Sequence, residues 1–369
     1  MRVAVDARAL VGARGVTRYL RELLAALARG HPDDEWHLFL PGRGAVLLEF
    51  PPNVAVHRHV LPGRVLFGAA AVCGRPRIDR LVGAQGRGAA PDVVWAPTIA
   101  PLALSPGVPL VLTIQDLSFE LRPGDFTSYE RMWHRVARPR ALARRAARVI
   151  VLAPPTRGQL VDRWGLDGGR IEVVAPGVSV GPPAGAPPPV ASPYLLAVGA
   201  LEPRKAPDLL VRAFTAARAA GLRARLVFAG EGRLAGALSG DGVTVLGQVS
   251  DAELDRLYRG ALALVMSSLL EGYGLPVTEA LARGTPAIVS DLPVFGPELA
   301  PAVLRVAPGD EAALTAALLR LEREDGLRAT LAAAALPAVA GLSWDEAARR
   351  TRAVLAEAVG AGAGTGAPR

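Results

Sequence analysis

In Glu271-Gly272-Tyr273-Gly274-Leu275-Pro276-Val277-Thr278-Glu279, continuing Ala280-Leu281-Ala282-Arg283-Gly284-Thr285-Pro286, two carboxylates bracket seven residues that include two glycines and a proline. The apolar run Ala261–Met266 ahead of it reads as a buried strand. Val277–Arg283 reads as a short helix. Pro276 suits its first turn, where a missing N–H costs nothing. Gly284 suits its C-terminal stop. Backbone N–H groups at such a helix start face outward and favour an anion. Gly272 and Gly274 let the backbone approach phosphate oxygens closely. Glu271 and Glu279 are poor partners for phosphate but good acceptors for sugar hydroxyls. A diphosphate with a sugar on each side is a nucleotide sugar.

The same string resembles the Glu-x7-Glu motif of retaining glycosyltransferases, glycosyltransferase family 4 in particular, including the Gly-Thr-Pro after the helix. The glutamate spacing alone also fits a solvated helix with two unrelated carboxylates; the strand, loop and helix around it supply the context a motif needs. Gly199-Ala200-Leu201-Glu202-Pro203-Arg204-Lys205 resembles the family's Gly-x-Leu-x-x-x-Lys, whose basic pair binds the donor diphosphate. A guanidinium fork beside a compact ammonium suits that group. Lys205 is the only lysine of a chain whose basic residues are otherwise all arginine, so a lysine here stands out against a GC-rich codon bias. Gly230-Glu231-Gly232 is a further family landmark, and Gly247-Gln248-Val249-Ser250 resembles the loop that packs on the nucleotide base. Pro176-Gly177-Val178 resembles the family's domain junction.

The N-terminal half departs more from the family. Gly12, Gly15 and Val16-Thr17-Arg18-Tyr19 resemble its glycine-rich first loop, used at the diphosphate or the acceptor, with Thr17 in place of the last glycine. An ordinary strand-to-helix turn would read the same. Gln115-Asp116 stands where the family usually has His-Asp. Glutamine hydrogen-bonds a sugar hydroxyl or phosphate but carries no proton at neutral pH. Ala153-Pro154-Pro155-Thr156 replaces the usual Ser-x-x-Ser/Thr.

The 369 residues suit two domains of ordinary size. Hydrophobic residues make up 51%, yet no uncharged apolar run reaches about 18 residues, so no membrane span is expected. A strand begins at once with Arg2-Val3-Ala4-Val5, and no leader is expected. The single Cys73 excludes an internal disulfide and fits a reducing cytoplasm. The five histidines are scattered without metal-ligand spacing, so no metal is expected. A net charge of +8 suits anionic partners. No nucleic-acid-binding motif accompanies it, which argues against that partner.

Further strands are expected at Met1–Asp6, Trp36–Leu40, Val54–His57, Asp92–Trp95, Leu110–Ile114, Arg148–Leu152, Ile171–Ala175, Tyr194–Val198, Arg225–Ala229, Val243–Leu246 and Ala287–Ser290. Helices are expected at Thr17–Arg29, Asp251–Gly260 behind a Ser250 cap, Glu311–Arg323 and Trp344–Ala358. Arg64–Val82 reads as helix interrupted by Gly68, Gly74 and Pro76, and Leu81–Ala90 as a glycine-rich loop. Tyr129–Val149 reads as one helix kinked at Pro139. Its Arg131, Arg135, Arg138, Arg140, Arg144, Arg145 and Arg148, with Trp133, suit either a solvated face or an anionic leaflet.

Strands alternating with helices give an α/β class with parallel sheets. The resemblance implies the GT-B architecture: two Rossmann-like domains facing across a cleft, with the last helix crossing back to the first. The expected boundaries are an acceptor-side domain at 1–180, a linker at 181–193, a nucleotide-sugar domain at 194–343, the crossover helix at 344–358 and a disordered tail at 359–369.

It also implies retaining, metal-independent hexosyl transfer from a nucleotide diphosphate sugar, GDP-mannose or a UDP-hexose, to a glycan or lipid-linked acceptor. No other cofactor is implied, and the place is the cytoplasm or the inner face of the plasma membrane. On this reading Glu271, Arg204, Lys205 and Gln115 carry catalysis. Glu279, Gly272, Tyr273, Gly274, Leu275, Val249 and Gly15 hold the donor. The rivals are a non-catalytic nucleotide-sugar-binding protein, favoured by Gln115, and another GT-B enzyme such as a sugar-nucleotide epimerase. A phosphorylase would want a second lysine for pyridoxal. A nicotinamide enzyme would want a clean Gly-x-Gly-x-x-Gly, which Gly12–Tyr19 lacks.

Overall fold

The computed structural model describes residues 1–11, 15–42, 50–85, 90–181 and 186–363. Its contacts divide the chain into two compact units: Met1–Gly177 with Trp344–Arg369, and Val178–Ser343. Of the N-terminal glycine loop, Gly12 lies outside the described residues, as do parts of the expected linker and tail.

The first unit runs β1 (Arg2–Asp6), α1 (Gly15–Gly30), β2 (Glu35–Pro41), β3 (Val54–His59), α2 (Gly63–Cys73), α3 (Ile78–Gln85), β4 (Val93–Ala96), β5 (Leu110–Ile114), α4 (Ser118–Leu121), α5 (Ser128–Ala137), α6 (Pro139–Arg145), β6 (Arg148–Val151), α7 (Pro154–Trp164) and β7 (Ile171–Val173). Its seven strands are parallel, in the order β3-β2-β1-β4-β5-β6-β7. The central strands β4 and β5 are buried along their whole length and read as continuous apolar runs because helices cover both faces.

The second unit runs β8 (Tyr194–Val198), α8 (Pro207–Ala219), β9 (Arg225–Ala229), β10 (Val243–Val245), α9 (Asp251–Gly260), β11 (Ala263–Met266), α10 (Leu275–Leu281), β12 (Ala287–Ser290), β13 (Val303–Val306), α11 (Glu311–Arg323) and α12 (Leu327–Val339). The six strands are parallel, in the order β10-β9-β8-β11-β12-β13. Both sheets reverse direction of growth beside their first strand, as doubly wound sheets do, and ligands bind outside the carboxyl ends of the strands at that point. In the second unit the point lies between β8 and β11; in the first, between β1 and β4.

The chain ends in α13 (Trp344–Ala363), which packs with the first unit: on α1 and behind β4, β5 and β6. Arg352 reaches the buried Asp34 at 2.7 Å, and Trp344 packs on Tyr19 with ring centroids 6.1 Å apart. The helix continues past Ala358, so the first residues of the expected tail are helical.

Three other expectations are corrected. Leu81–Gln85 belongs to α3 rather than to a loop, because Val82 is needed in the core. The arginine-rich segment is two helices, not one kinked helix. Pro139 opens α6, and Arg138 before it leaves the helical region for φ 49°. Strand β13 and helices α4, α7, α8 and α12 are not among the expected elements; Arg305 interrupts the apolar run of β13, and α12 is mostly alanine and leucine. Among the described residues one helical stretch, Leu327–Ala361, has the length and mean hydropathy of a membrane span by composition. It consists of α12 and α13, with a break at 340–343 between them.

Candidate functional site

Most of the expected site residues stand on loops at the carboxyl ends of β8 and β11, on either side of the switch point of the second sheet. The loop after β8 turns through a short 3-10 helix, Pro203–Lys205, and passes into α8 through Ala206 at φ 48°. Its path is fixed from β11: Leu269 N donates to Arg204 O at 2.8 Å, and Ser267 Oγ donates to the carbonyls of Lys205 and Ala206 at 3.1 Å each. The next loop packs beneath it. A Cβ on Gly230 would stand 1.9 Å from the Gly199 carbonyl oxygen, so only glycine permits that approach. Gly230 N also donates to Gly247 O at 2.8 Å, which ties in the third loop, where Val249 is half-buried and Ser250 caps α9 in a reciprocal box with Glu253. These contacts leave a hollow above the sheet lined by Gly199, Leu201, Lys205, Met266, Ser267 and Ser268.

Into this hollow's edge comes the quoted stretch. Lys205 Nζ and Glu271 Oε1 form an ion pair, and Ser268 Oγ donates to the same oxygen at 2.6 Å. Glu271 is only 5% exposed and Lys205 18%. Burial pushes the Glu271 carboxyl upward, but the charges of Lys205 and Arg204 and the hydrogen bonds from Lys205 and Ser268 outweigh it. The net result holds the carboxyl below its ordinary range. Glu271 is therefore a carboxylate, an acceptor set beside two cations. Ser268 is a site residue that sequence reading missed; its spacing of three from Glu271 was the available signal.

Of the two motif glycines, Gly274 takes the left-handed conformation, φ 92°, as the cap of α10. A Cβ there would come 2.5 Å from Phe295 Cε1. Gly272 is buried. Leu275 begins α10 with Pro276 in the first turn. α10 is under two turns long, so its dipole is small and the cationic side chains carry most of any attraction for phosphate. Tyr273 is half-buried; burial, and then the negative charge of Glu298, push its hydroxyl pKa well above the ordinary tyrosine range. It is a neutral donor at any working pH. Glu279 is buried, and its Oε2 accepts from the Tyr258 hydroxyl at 2.8 Å. Tyr258 is also a residue that sequence reading missed, since nothing in a separation of 21 residues signals the contact.

Gln115 and Gly15 belong to the first unit. Gln115 follows β5 and its Nε2 donates to Pro97 O at 3.1 Å, a brace to the end of β4. Asp116 beside it accepts from Ser118 N and Oγ at 2.8 and 2.6 Å. Gly15 is exposed at the start of α1, with open space where a side chain would be, and Thr17 Oγ1 donates to Ala9 O at 2.7 Å. Among the described residues no group of three or more His, Cys, Asp or Glu side chains is placed to hold a metal ion.

Two family models match, in series: glycosyltransferase family 4 over residues 13–181 and glycosyl transferases group 1 over 185–336. This chain belongs to the group 1 glycosyltransferases. An O-antigen chain mannosyltransferase of Salmonella typhimurium is 47% identical over 83 residues, 22% of this chain and 24% of that protein. A D-inositol 3-phosphate glycosyltransferase of Frankia alni is 34% identical over 232 residues, 55% of this chain and 57% of that protein. The match thus spans between a quarter and about three fifths of these relatives' lengths. Among solved structures, sucrose-phosphate synthase from Thermosynechococcus elongatus superposes with a TM-score of 0.74 at 19% identity, covering 98% of this chain and 99% of that one. HepE of Anabaena, solved in complex with UDP and glucose, superposes with a TM-score of 0.69 at 18% identity, covering 96% and 99%. The fold of this group 1 glycosyltransferase is GT-B, built from two Rossmann-like parallel-sheet units with a C-terminal helix.

Proposed function

We propose that this protein transfers a hexose from a nucleotide diphosphate sugar to an acceptor hydroxyl, with retention at the anomeric carbon and without a metal. The observation that carries the reading is the buried cluster of Lys205, Glu271 and Ser268 beside Arg204 at the switch point of the second sheet. The reaction's leaving group is a diphosphate, whose charge grows as the glycosidic bond breaks. Arg204 and Lys205 supply fixed positive charge for it, and the backbone of Gly272–Leu275 supplies donors. Glu271 takes the sugar's hydroxyls and Glu279 those of the ribose. A phosphate oxygen on the departing side accepts the acceptor's proton, so Gln115 needs only to hydrogen-bond. HepE's complex with UDP and glucose supports a UDP-hexose donor; the Salmonella relative's name supports a mannosyl one.

A thermal-shift panel of UDP, GDP, ADP and their sugars tests the donor; a nucleotide at 100 times its dissociation constant adds roughly 2.7 kcal/mol. Nucleoside diphosphate release from the stabilising sugar donor is then followed with EDTA present. Retention is read from the anomeric coupling of the product. Loss of turnover in EDTA that returns with a divalent ion would end the metal-independent reading. The rival, a binding protein without turnover, rests on Gln115, whose amide is engaged with Pro97 O and cannot shuttle a proton. Donor binding with no release under any condition would favour it.

The acceptor side includes a lipid surface. On α5 the side chains of Tyr129, Met132 and Val136, spaced at three and four residues, are exposed by 46%, 50% and 37%. Exposed Arg135 and Arg138 accompany them. Such a stripe suits an anionic leaflet and a lipid-linked acceptor at the inner face of the membrane. The other arginines of the series serve the first unit itself. Arg140 pairs with Glu120 at 2.7 Å, Arg148 pairs with Glu357 at 3.1 Å, and Arg144 and Arg145 bind the carbonyls of Trp164 and Ser105.

A further inference from the structure

Glu279 and Tyr258 meet in the interior of the second unit, hydroxyl to carboxylate, and the elements that carry them are tied to one another at several further points. Thr285 Oγ1 donates to the Tyr258 carbonyl oxygen at 2.7 Å, and Thr285 N donates to Ala280 O at 3.0 Å. Arg283 donates through Nε to Asp255 Oδ1 at 2.7 Å and through Nη1 to the Glu279 carbonyl oxygen at 2.8 Å, and its guanidinium lies 5.2 Å from the Tyr258 ring centroid. The other Asp255 oxygen takes Arg259 at 2.7 Å. All of Asp255, Tyr258, Glu279 and Thr285 are buried. The Gly-Thr-Pro that ends the quoted stretch thus acts at a distance. Its threonine grips the backbone of the residue whose hydroxyl grips the glutamate of the same stretch.

We propose that Tyr258 is a positioning residue for ribose recognition by Glu279, and that Thr285 holds Tyr258 in place. This rests on the reading of Glu279 as the ribose partner. The terminal torsion of a glutamate is soft and roughly two-fold. A carboxylate offers about four lone-pair sites on its two oxygens. The Tyr258 hydroxyl takes one of them and so restrains the carboxylate plane, which helps to set the direction of its other oxygen. Loss of that bond loosens the plane. Affinity for the diphosphate then survives, and discrimination between a ribose and its deoxy forms weakens.

The test is calorimetric titration of UDP and GDP and of their 2′-deoxy and 3′-deoxy counterparts. It is run on the full chain and on Tyr258→Phe, Thr285→Val and Glu279→Gln. Wild type is expected to prefer the ribonucleotide over at least one deoxy form by about tenfold, the scale of a hydrogen bond to a charged group. Glu279→Gln should abolish most of that preference, and Tyr258→Phe should cut it by roughly threefold or more. Thr285→Val, which leaves the phenol intact, should move it the same way and carries the test if Tyr258→Phe does not fold. Equal loss of affinity for ribo and deoxy forms in Tyr258→Phe, with the wild-type ratio kept, would make Tyr258 a merely structural partner and overturn the proposal. A wild type that ignores the ribose hydroxyls, with Glu279→Gln binding like wild type, would instead overturn the assignment of Glu279 and the proposal with it.

Discussion

Lys205 is the largest charge acting on Glu271, and the two are joined as an ion pair, so removing either is felt by the other. Removing one member of a buried pair leaves an unpaired charge, at a cost on the order of 3 kcal/mol. Lys205→Ala should therefore lower stability by about that much in urea unfolding, and Lys205→Ala with Glu271→Gln should recover part of it. A double variant no more stable than the single one would show that the pair is not what the lysine stabilises. The depressed Glu271 pKa gives a pH signature as well. Its stabilisation is complete above the unfolded glutamate value, about 4.3, and is lost as pH falls through the lower folded value. The stability gap between wild type and Glu271→Gln should stay constant from neutral pH to about pH 5 and narrow in more acid solution. A gap that narrows near pH 7 would place the carboxyl's pKa on the other side of its ordinary range.

At the scale of elements, Gly274 and α5 are the two informative cases. Gly274 combines φ 92° with a Cβ position 2.5 Å from Phe295, whose carbonyl Arg305 binds at 2.6 Å, so the ring cannot withdraw freely. Gly274→Ala should cost about 2–4 kcal/mol from backbone strain and overpacking together, seen as a lower unfolding midpoint. An unchanged midpoint would mean that the loop relaxes at no cost. The α5 helix starts from a reciprocal box between Thr127 and Glu130 and packs by His134, stacked on Phe119 at 4.7 Å. That contact turns Tyr129, Met132 and Val136 outward. Sedimentation with vesicles of anionic lipid should fall as salt rises, because exposed charges are screened within about 8–10 Å at physiological salt. It should fall further when Arg135 and Arg138 are changed to Gln or when the three apolar residues are changed to Ser. Binding that ignores both salt and these changes would make this face of α5 an ordinary solvated one.

For the whole molecule, what the sequence makes legible is what is decided locally. The buried strands β1, β4, β5 and β8 show as short apolar runs because both faces of each sheet are covered. The capped start of α9 and the loop–helix unit at Gly274 show through residue types that only those geometries need. The residues decided by tertiary contact stay hidden. Tyr258 has no local feature that marks its hydroxyl for Glu279, and the arginines after Pro139 carry no mark of Glu120, Trp164 or Glu357 as their destinations. The order of the second sheet, which places Arg204, Lys205 and Glu271 around one switch point, likewise appears only once the strands are paired.

Calorimetric titration of UDP and GDP against their parent nucleosides tests that placement as a diphosphate site. The comparison is wild type against Lys205→Met with Glu271→Gln, a pair of changes that removes both charges of the ion pair together. Wild type is expected to bind at least one diphosphate much more tightly than its nucleoside, and the double variant to lose most of this difference. A double variant with the full wild-type preference for the diphosphate would contradict it.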